Sequence, residues 1–183
     1  MLDATTGVGL GVLTGGRLLT GMSGLAGEIG HLPIEQDGHL CGCGRRGCLE
    51  TLASDTALTR LISDQLGRDV SFDEMSQLVA LGELNIDESF EAVVRHLSFA
   101  LATSINLFNP STLFVCSRMF DLDPTLLDRL RDRTEGLALR PSFEVCRIER
   151  ARGSKREGTI AGIIEYLTDA RVQLDVPVSS GIQ

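Results

Sequence analysis

The chain has 183 residues and a formal net charge of −8, with 43% hydrophobic and 23% charged residues. This size and composition are typical of one globular domain and exclude a disordered chain, a collagen and a coiled coil. The excess of acidic over basic residues argues against a nucleic-acid-binding domain, because such a domain needs a basic face to displace counterions from phosphates. Neither an apolar run of the roughly 18 residues that a membrane span needs nor a signal peptide is recognisable, so a cytoplasmic protein is expected.

The first 34 residues are rich in glycine and β-branched residues, a pattern that predicts short strands near residues 2–6, 8–14, 16–20 and 29–34. Gly15 and Gly16 predict a two-residue hairpin turn between the second and third strands. The segment Thr6-Gly7-Val8-Gly9 has the glycine content of a loop that cradles phosphate with backbone N–H groups. No helical pattern follows it, so it is not the dinucleotide fingerprint, and a tight hairpin explains it equally well.

From residue 49 onward the pattern is mainly helical. Capping and helix-breaking residues predict three helices, which run from Ser54 to Gly67, from Ser71 to Gly82 and from Asn85 to Pro110. Beyond them the pattern predicts a strand at 112–116, a helix at 124–137, a strand at 142–146, a helix at 158–170 and a frayed tail at 173–183. Strands followed by alternating helices and strands predict an α/β domain with one sheet and helices packed on it.

The sharpest feature is a polar loop at residues 35–48, the cysteine loop, in which Cys41, Cys43 and Cys48 lie close together among glycines. Structural zinc takes four nitrogen or sulfur ligands in a tetrahedron. Three free thiols so close together would be prone to oxidation, so we predict a zinc site rather than free cysteines. Either His31 or His39 could supply the fourth ligand. His39 would crowd the loop, whereas His31, at the end of a predicted strand, can reach back across it.

Gly27-Glu28-Ile29-Gly30-His31, the cysteine loop and Gly47-Cys48-Leu49-Glu50 occur in this order between residues 27 and 50. This arrangement resembles the signature of the ROK family, which groups sugar kinases with sugar-responsive transcriptional repressors. Three weaker resemblances extend it along nearly the whole chain: Thr6–Gly9 to a phosphate segment, Asn106–Pro110 to the segment before a late strand, and Gly158–Gly162 to the start of the last helix. The resemblance implies the C-terminal lobe of a ribonuclease H-like, actin-like ATPase fold, spanning residues 1–183 with a zinc-binding loop at 31–50.

The resemblance also implies roles for individual residues. It assigns zinc to His31, Cys41, Cys43 and Cys48, sugar hydroxyls to Glu28, His31 and Glu50, and a phosphate-loop-like role to Thr6, Gly7 and Gly9. Carboxylates accept paired hydrogen bonds from vicinal hydroxyls, and a histidine bound to zinc through one nitrogen presents the other as a fixed N–H donor. The implied metal is therefore structural and orients a sugar-binding ring.

The family contains both kinases and regulators, and two departures favour a regulator. Family kinases usually have paired glycines after the late strand, where the backbone closes on the nucleotide, whereas this strand continues as Val115-Cys116-Ser117-Arg118. Asp3 also brings negative charge near the supposed phosphate segment. The family's catalytic aspartate belongs to an N-terminal lobe, and its helix-turn-helix domain precedes that lobe. We expect neither in this chain, and therefore assign no catalytic residue.

The expected function is that of a sugar-binding, zinc-containing effector domain of a transcriptional regulator of carbohydrate metabolism. The alternative is the C-terminal half of a glucokinase-like sugar kinase, in which case ATP would also bind. A zinc-stabilised oligomerisation domain without a ligand is the third hypothesis. The expected partners are a small sugar or sugar phosphate and further copies of the same chain in a homo-oligomer, without direct contact to nucleic acid or membrane.

Overall fold

The computed structural model describes residues 1–151 of the chain. In chain order its elements are β1 (Leu2–Asp3), β2 (Gly9–Leu10), β3 (Leu13–Thr14), β4 (Arg17–Leu18), α1 (Asp55–Leu66), α2 (Phe72–Ala80), α3 (Asp87–Phe108), β5 (Thr112–Cys116), α4 (Leu126–Glu135), α5 (Arg140–Glu144) and β6 (Arg147–Arg150). Two 3-10 turns, Ile29–His31 and Leu49–Thr51, are called the first and second turns below. The helix predicted at 158–170 and the tail at 173–183 lie outside the described residues.

The first two helices begin at the capping residues that the sequence supplies. The Ser54 hydroxyl accepts a hydrogen bond from the Ala57 N–H at 3.0 Å, and the Ser71 hydroxyl accepts one from the Glu74 N–H at 3.1 Å. Such side-chain oxygens satisfy N–H groups that have no partner inside the helix. Helix α1 ends at Gly67, whose left-handed φ of 66° suits a residue without a side chain. Both predicted helices are confirmed.

Helix α3 is the longest helix within residues 1–151, and it supplies many residues of the hydrophobic core. The predicted start, Asn85, accepts a hydrogen bond from the Asp87 N–H at 2.8 Å. The residue that occupies the cap position is Ile86, one residue later. Asn109, with a left-handed φ of 44°, ends the helix immediately before Pro110. The apolar stripe of α3 is buried at Phe90, Val93, Val94, Leu97, Leu101 and Ile105. These residues recur at helical spacing along one face of the helix, whereas Phe108, at its last position, is exposed.

The main sheet has the strand order β2-β1-β5-β6, with β1 and β2 antiparallel and the other two pairings parallel. Helix α3 contacts α1 and α4, and α4 contacts β6. Residues of the sheet and of these helices form one hydrophobic core, as predicted for helices packed on a sheet. Strands β3 and β4 form a separate hairpin. Gly15 and Gly16 form its turn with φ of 56° and 75°, which confirms the predicted hairpin. Within residues 1–151, no helix is long and apolar enough to cross a membrane.

The strand predicted at 29–34 is wrong, because this segment begins with the first turn. A Cβ on Gly30 would lie 2.0 Å from the Val8 carbonyl oxygen, and one on Gly27 would lie 1.7 Å from the Leu10 carbonyl oxygen. The two glycines thus let the chain cross β2 at close range in a tight turn rather than run as an extended strand. The strands predicted at 2–6 and 16–20 are found as two-residue strands, whereas the one predicted at 8–14 is divided into β2 and β3, which belong to different sheets.

The strand predicted at 142–146 is also wrong. Pro141 lies in the first turn of the short helix α5, where its fixed φ favours the helical conformation and its missing N–H costs nothing. Phe143 packs against the core, but Val145 is 60% exposed, so the alternating pattern does not mark a buried sheet face. The last described strand, β6, begins only at Arg147 and pairs with β5.

Candidate metal and sugar site

Two short turns hold the candidate site. The first turn ends with His31, and the second contains Glu50. They are joined by a backbone hydrogen bond from the Leu49 N–H to the Leu32 carbonyl at 2.9 Å. The cysteine loop connects them, so its two ends are held side by side. His31 was expected to end a strand, and it ends a 3-10 turn instead.

The structure brings the four predicted metal ligands together. One ligand atom from each of His31, Cys41, Cys43 and Cys48 lies within 4.8 Å of all the others. The Cys41 sulfur is 3.5 Å from His31 Nδ1, and the sulfurs of Cys43 and Cys48 are 3.6 Å apart. Tetrahedral zinc with bonds of ~2.0–2.3 Å sets neighbouring ligands roughly 3.5–3.8 Å apart, so these two distances suit zinc. One imidazole nitrogen and three sulfurs also match the ligand chemistry of structural zinc. His39, the alternative fourth ligand, is exposed and is not a member of the group.

The three thiols differ in their environment. Burial and a hydrogen bond to Glu50 raise the pKa of Cys41 to about 12, and burial also raises the pKa of Cys48. Hydrogen bonds to Arg45 lower the pKa of the exposed Cys43 to about 6. Burying negative charge is unfavourable unless a cation compensates it, and a coordinating metal deprotonates a thiol outright. The two buried thiols therefore stay protonated unless a cation beside them compensates their negative charge.

The three predicted sugar contacts also converge. His31 Nε2 lies 3.5 Å from a Glu28 carboxylate oxygen, and His31 Nδ1 lies 3.7 Å from Glu50 Oε1. Glu50 Oε1 accepts a hydrogen bond from the Cys41 thiol at 2.8 Å. The Glu28 side chain is 53% exposed and that of Glu50 is 22% exposed. The imidazole thus lies between an outer carboxylate and the metal-ligand group.

The three residues with a predicted phosphate-loop-like role do not share one environment. Gly9 belongs to β2, where it pairs with Asp3. A Cβ on Gly7 would lie 2.8 Å from Glu50 Oε2. Because Gly7 has no side chain, the Glu50 carboxylate of the candidate sugar site can lie close to the Gly7 backbone. Thr6 lies elsewhere, in the wall of a cavity of ≈ 260 Å³ described next.

That cavity is lined by Thr5, Thr6, Asp55, Thr56, Thr59, Phe72 and Arg118. The buried Asp55 carboxylate accepts hydrogen bonds from the Ser117 hydroxyl at 2.6 Å and the Arg118 N–H at 2.8 Å. Burial raises the pKa of Asp55. The Arg118 guanidinium lies 4.2 Å from the centre of the Phe72 ring. Sequence reasoning missed Asp55, because a first-turn acid on α1 is an ordinary helix feature and its partners lie far along the chain.

Comparison with known proteins identifies the family. The model of the ROK family matches residues 1–166. This chain is a ROK family member. Escherichia coli K12 NagC, a DNA-binding transcriptional dual regulator, is 32% identical over 155 residues, covering 78% of this chain and 38% of the relative. A glucokinase from Halalkalibacterium halodurans is 34% identical over 156 residues, covering 76% of this chain and 47% of the relative. Regulators and kinases thus both occur among the relatives.

Solved ROK structures confirm the fold class. A ROK hexokinase from Thermus thermophilus superposes with a TM-score of 0.76 at 29% identity, covering 91% of this chain and 56% of that one. A ROK glucokinase from Streptomyces griseus, in complex with glucose and AMPPNP, has a TM-score of 0.64 at 29% identity, covering 81% and 53%. The domain is therefore a mixed α/β domain of the actin-like ATPase fold family. It spans only 38% to 56% of the length of these relatives.

Proposed function

We propose that this chain is the sugar-binding, zinc-containing C-terminal lobe of a ROK transcriptional regulator of carbohydrate metabolism. One observation carries the proposal: the His31 ring has Cys41 on one side and Glu28 on the other, each 3.5 Å away. A single imidazole can therefore be a metal ligand through Nδ1 and a sugar contact through Nε2.

Zinc would be held by the His31, Cys41, Cys43 and Cys48 side chains. Its contribution is structural, because it fixes the loop and supplies no reaction chemistry. With Nδ1 committed to the metal, the proton of the neutral ring is on Nε2, which then donates a hydrogen bond. Nε2 is the nitrogen that faces Glu28, so the donor and one carboxylate acceptor share the outer side of the ring.

Glu50 supplies the second acceptor and depends on the state of Cys41. The Cys41 thiol now donates to Glu50 Oε1 at 2.8 Å. A zinc-bound cysteine is a thiolate and has no proton to donate, so Glu50 Oε1 would need another donor. A sugar hydroxyl is such a donor. The Glu50 carboxylate has room beside the Gly7 backbone, because Gly7 has no side chain. Glu28, Glu50 and His31 Nε2 would then present two acceptors and one donor to the hydroxyls of a sugar.

The cavity at the end of β5 favours a regulator over a kinase. Its volume of ≈ 260 Å³ is below the ~300–1,000 Å³ usual for ligand pockets. Ser117 and Arg118 follow β5, where family kinases usually have paired glycines. The Ser117 hydroxyl donates a hydrogen bond to the Asp55 carboxylate, and the Arg118 guanidinium lies over the Phe72 ring. These side chains crowd the approach of a nucleotide. In a regulator, sugar binding would act by favouring one arrangement of the subunits over another.

The test is NMR titration of the zinc-loaded chain with glucose, N-acetylglucosamine and xylose, together with elemental analysis for zinc. We expect one zinc ion per chain and sugar-dependent shifts at His31 and Glu28. Glu50→Gln should abolish the shifts and keep the zinc, whereas His31→Ala should lose both. Matched controls are His39→Ala and Glu83→Gln, which change exposed residues outside the site.

Each alternative has its own result. Sugar-dependent shifts that survive both Glu50→Gln and His31→Ala would place the sugar elsewhere. Shifts caused by AMPPNP at Thr6 and Arg118 would favour the kinase hypothesis. A chain with full zinc content that self-associates and responds to none of the three sugars would favour the oligomerisation domain.

A further inference from the structure

The three thiols of the cysteine loop are not equally accessible. Cys43 is exposed, whereas Cys41 is 3% exposed and Cys48 is fully buried. A dissolved oxidant therefore meets the Cys43 sulfur first. The Cys41 sulfur is in addition hydrogen-bonded to Glu50 at 2.8 Å and lies 3.5 Å from His31.

The sulfurs of Cys43 and Cys48 are positioned to form a bond. They are 3.6 Å apart, and a disulfide of ~2.05 Å requires an approach of about 1.5 Å. The surroundings leave room for this movement, because Cys43 is exposed and a Cβ on either neighbour, Gly42 or Gly44, would meet nothing within 4 Å. Cys48 is held in place by its β-bridge to Pro33. An exposed thiol with open space around it thus faces a buried one.

We propose that Cys43 and Cys48 are a thiol-modification site, at which hydrogen peroxide forms a disulfide that releases the metal. The Cys43 thiol attacks one peroxide oxygen, the O–O bond breaks, and a sulfenic acid and one water form. The Cys48 sulfur then attacks the Cys43 sulfur, the S–O bond breaks, and the hydroxyl leaves as a second water. In the zinc-free chain the two thiols supply the protons that the two waters need beyond those of the peroxide, whereas in the zinc-loaded chain both sulfurs are thiolates and the solvent supplies them. Two thiols lose two electrons in total, and one peroxide gains them.

The disulfide removes two of the four ligands that the metal needs. Cys41 and His31 remain, and two ligands do not hold structural zinc. Loss of zinc would release His31 Nδ1 and return a proton to Cys41, which again donates to Glu50. Oxidation at Cys43 would therefore weaken sugar binding at Glu28 and Glu50. This consequence rests on the proposed function, whereas formation of the disulfide does not.

The experiment treats the full chain with hydrogen peroxide, both zinc-loaded and zinc-free. Intact mass, peptide mapping and a chromogenic zinc chelator report the oxidation state, the cysteine pairing and the released metal. We expect an early product whose mass is lower by two hydrogen atoms, with Cys43 joined to Cys48 in both samples. The zinc-loaded sample should also release one zinc ion per disulfide. Cys43→Ser and Cys48→Ser should prevent this product, and the distant Cys116→Ser and Cys146→Ser should not. Dithiothreitol should restore zinc binding.

Two results would overturn the inference. One is a first disulfide that involves Cys41, Cys116 or Cys146. The other is oxidation of Cys43 to a sulfinic or sulfonic acid without a disulfide. The zinc-free sample separates this inference from the proposed function. If the untreated chain never binds zinc, the proposed function is contradicted. The cysteine pairing that peroxide produces in the zinc-free chain still decides for or against the modification site.

Discussion

Replacing Gly47 by alanine perturbs the place where the two ends of the cysteine loop meet. Gly47 has a φ of 65°, and a Cβ there would lie 1.6 Å from the Glu35 carbonyl oxygen, where real contacts are essentially never under 3.0 Å. The Gly47 carbonyl accepts from the N–H groups of Ile34 at 2.7 Å and Glu35 at 3.1 Å, and its N–H donates to the His39 carbonyl at 2.9 Å. The backbone must therefore move, and these hydrogen bonds cannot all be kept.

The expected loss follows from two contributions. A left-handed conformation costs alanine about 1–2 kcal/mol. Each hydrogen bond broken costs about 0.5–1.5 kcal/mol, so losing two of the three adds about 1–3 kcal/mol. We expect Gly47→Ala to lower the free energy of unfolding by about 2–5 kcal/mol. Gly44→Ala, with a φ of 86° but open space, should cost only about 1–2 kcal/mol, and Gly42→Ala, in open space without positive φ, about 0.5 kcal/mol or less.

The assay is urea unfolding of the reduced, zinc-free chains, followed by circular dichroism under identical conditions. The most informative result is the order of the three losses in the free energy of unfolding. Gly42, Gly44 and Gly47 lie in one loop and receive the same methyl group, so they differ only in their backbone conformation and surroundings. Equal losses at Gly44 and Gly47 would show that the contact with Glu35 carries no cost. A Gly47→Ala loss as small as that of Gly42→Ala would refute the reasoning entirely.

Three further predictions use the same unfolding measurement. Leu97→Ala should lose about 2.7–5 kcal/mol because the side chain is fully buried, while Leu107→Ala, 68% exposed, should change stability by about 0.5 kcal/mol or less. Ser54→Ala removes the cap of α1 and should cost about 0.5–2 kcal/mol; no measurable loss would contradict that capping role. Burial raises the pKa of Asp55, so above about pH 4 the native state binds more protons than the unfolded chain, and this contribution to stability falls as pH rises. Asp55→Asn should remove that part of the slope above about pH 4, and an unchanged slope would contradict it.

Local patterns succeeded where the physical cause was local. Ser54 and Ser71 predict helix starts because each side-chain oxygen satisfies a free N–H group three residues further along the chain. Local patterns failed where a distant backbone intervened. At Gly30 the chain passes against Val8, and the predicted strand becomes a turn. The pattern at 142–146 failed for a local reason, since Pro141 starts a helix there.

The metal-ligand group was largely determined by the sequence, because three of its four residues lie within one short loop whose glycines let the chain fold around a point. The sequence also favoured His31 over His39 as the fourth ligand. The tertiary structure supplies the physical means, through the hydrogen bond that joins the first and second turns and places His31 beside Cys41. The arrangement of Asp55 with Ser117 and Arg118 was decided there alone. These residues meet because the parallel pairing of β1 with β5 brings the end of β5 beside the start of α1, and no pattern in the intervening chain records that pairing.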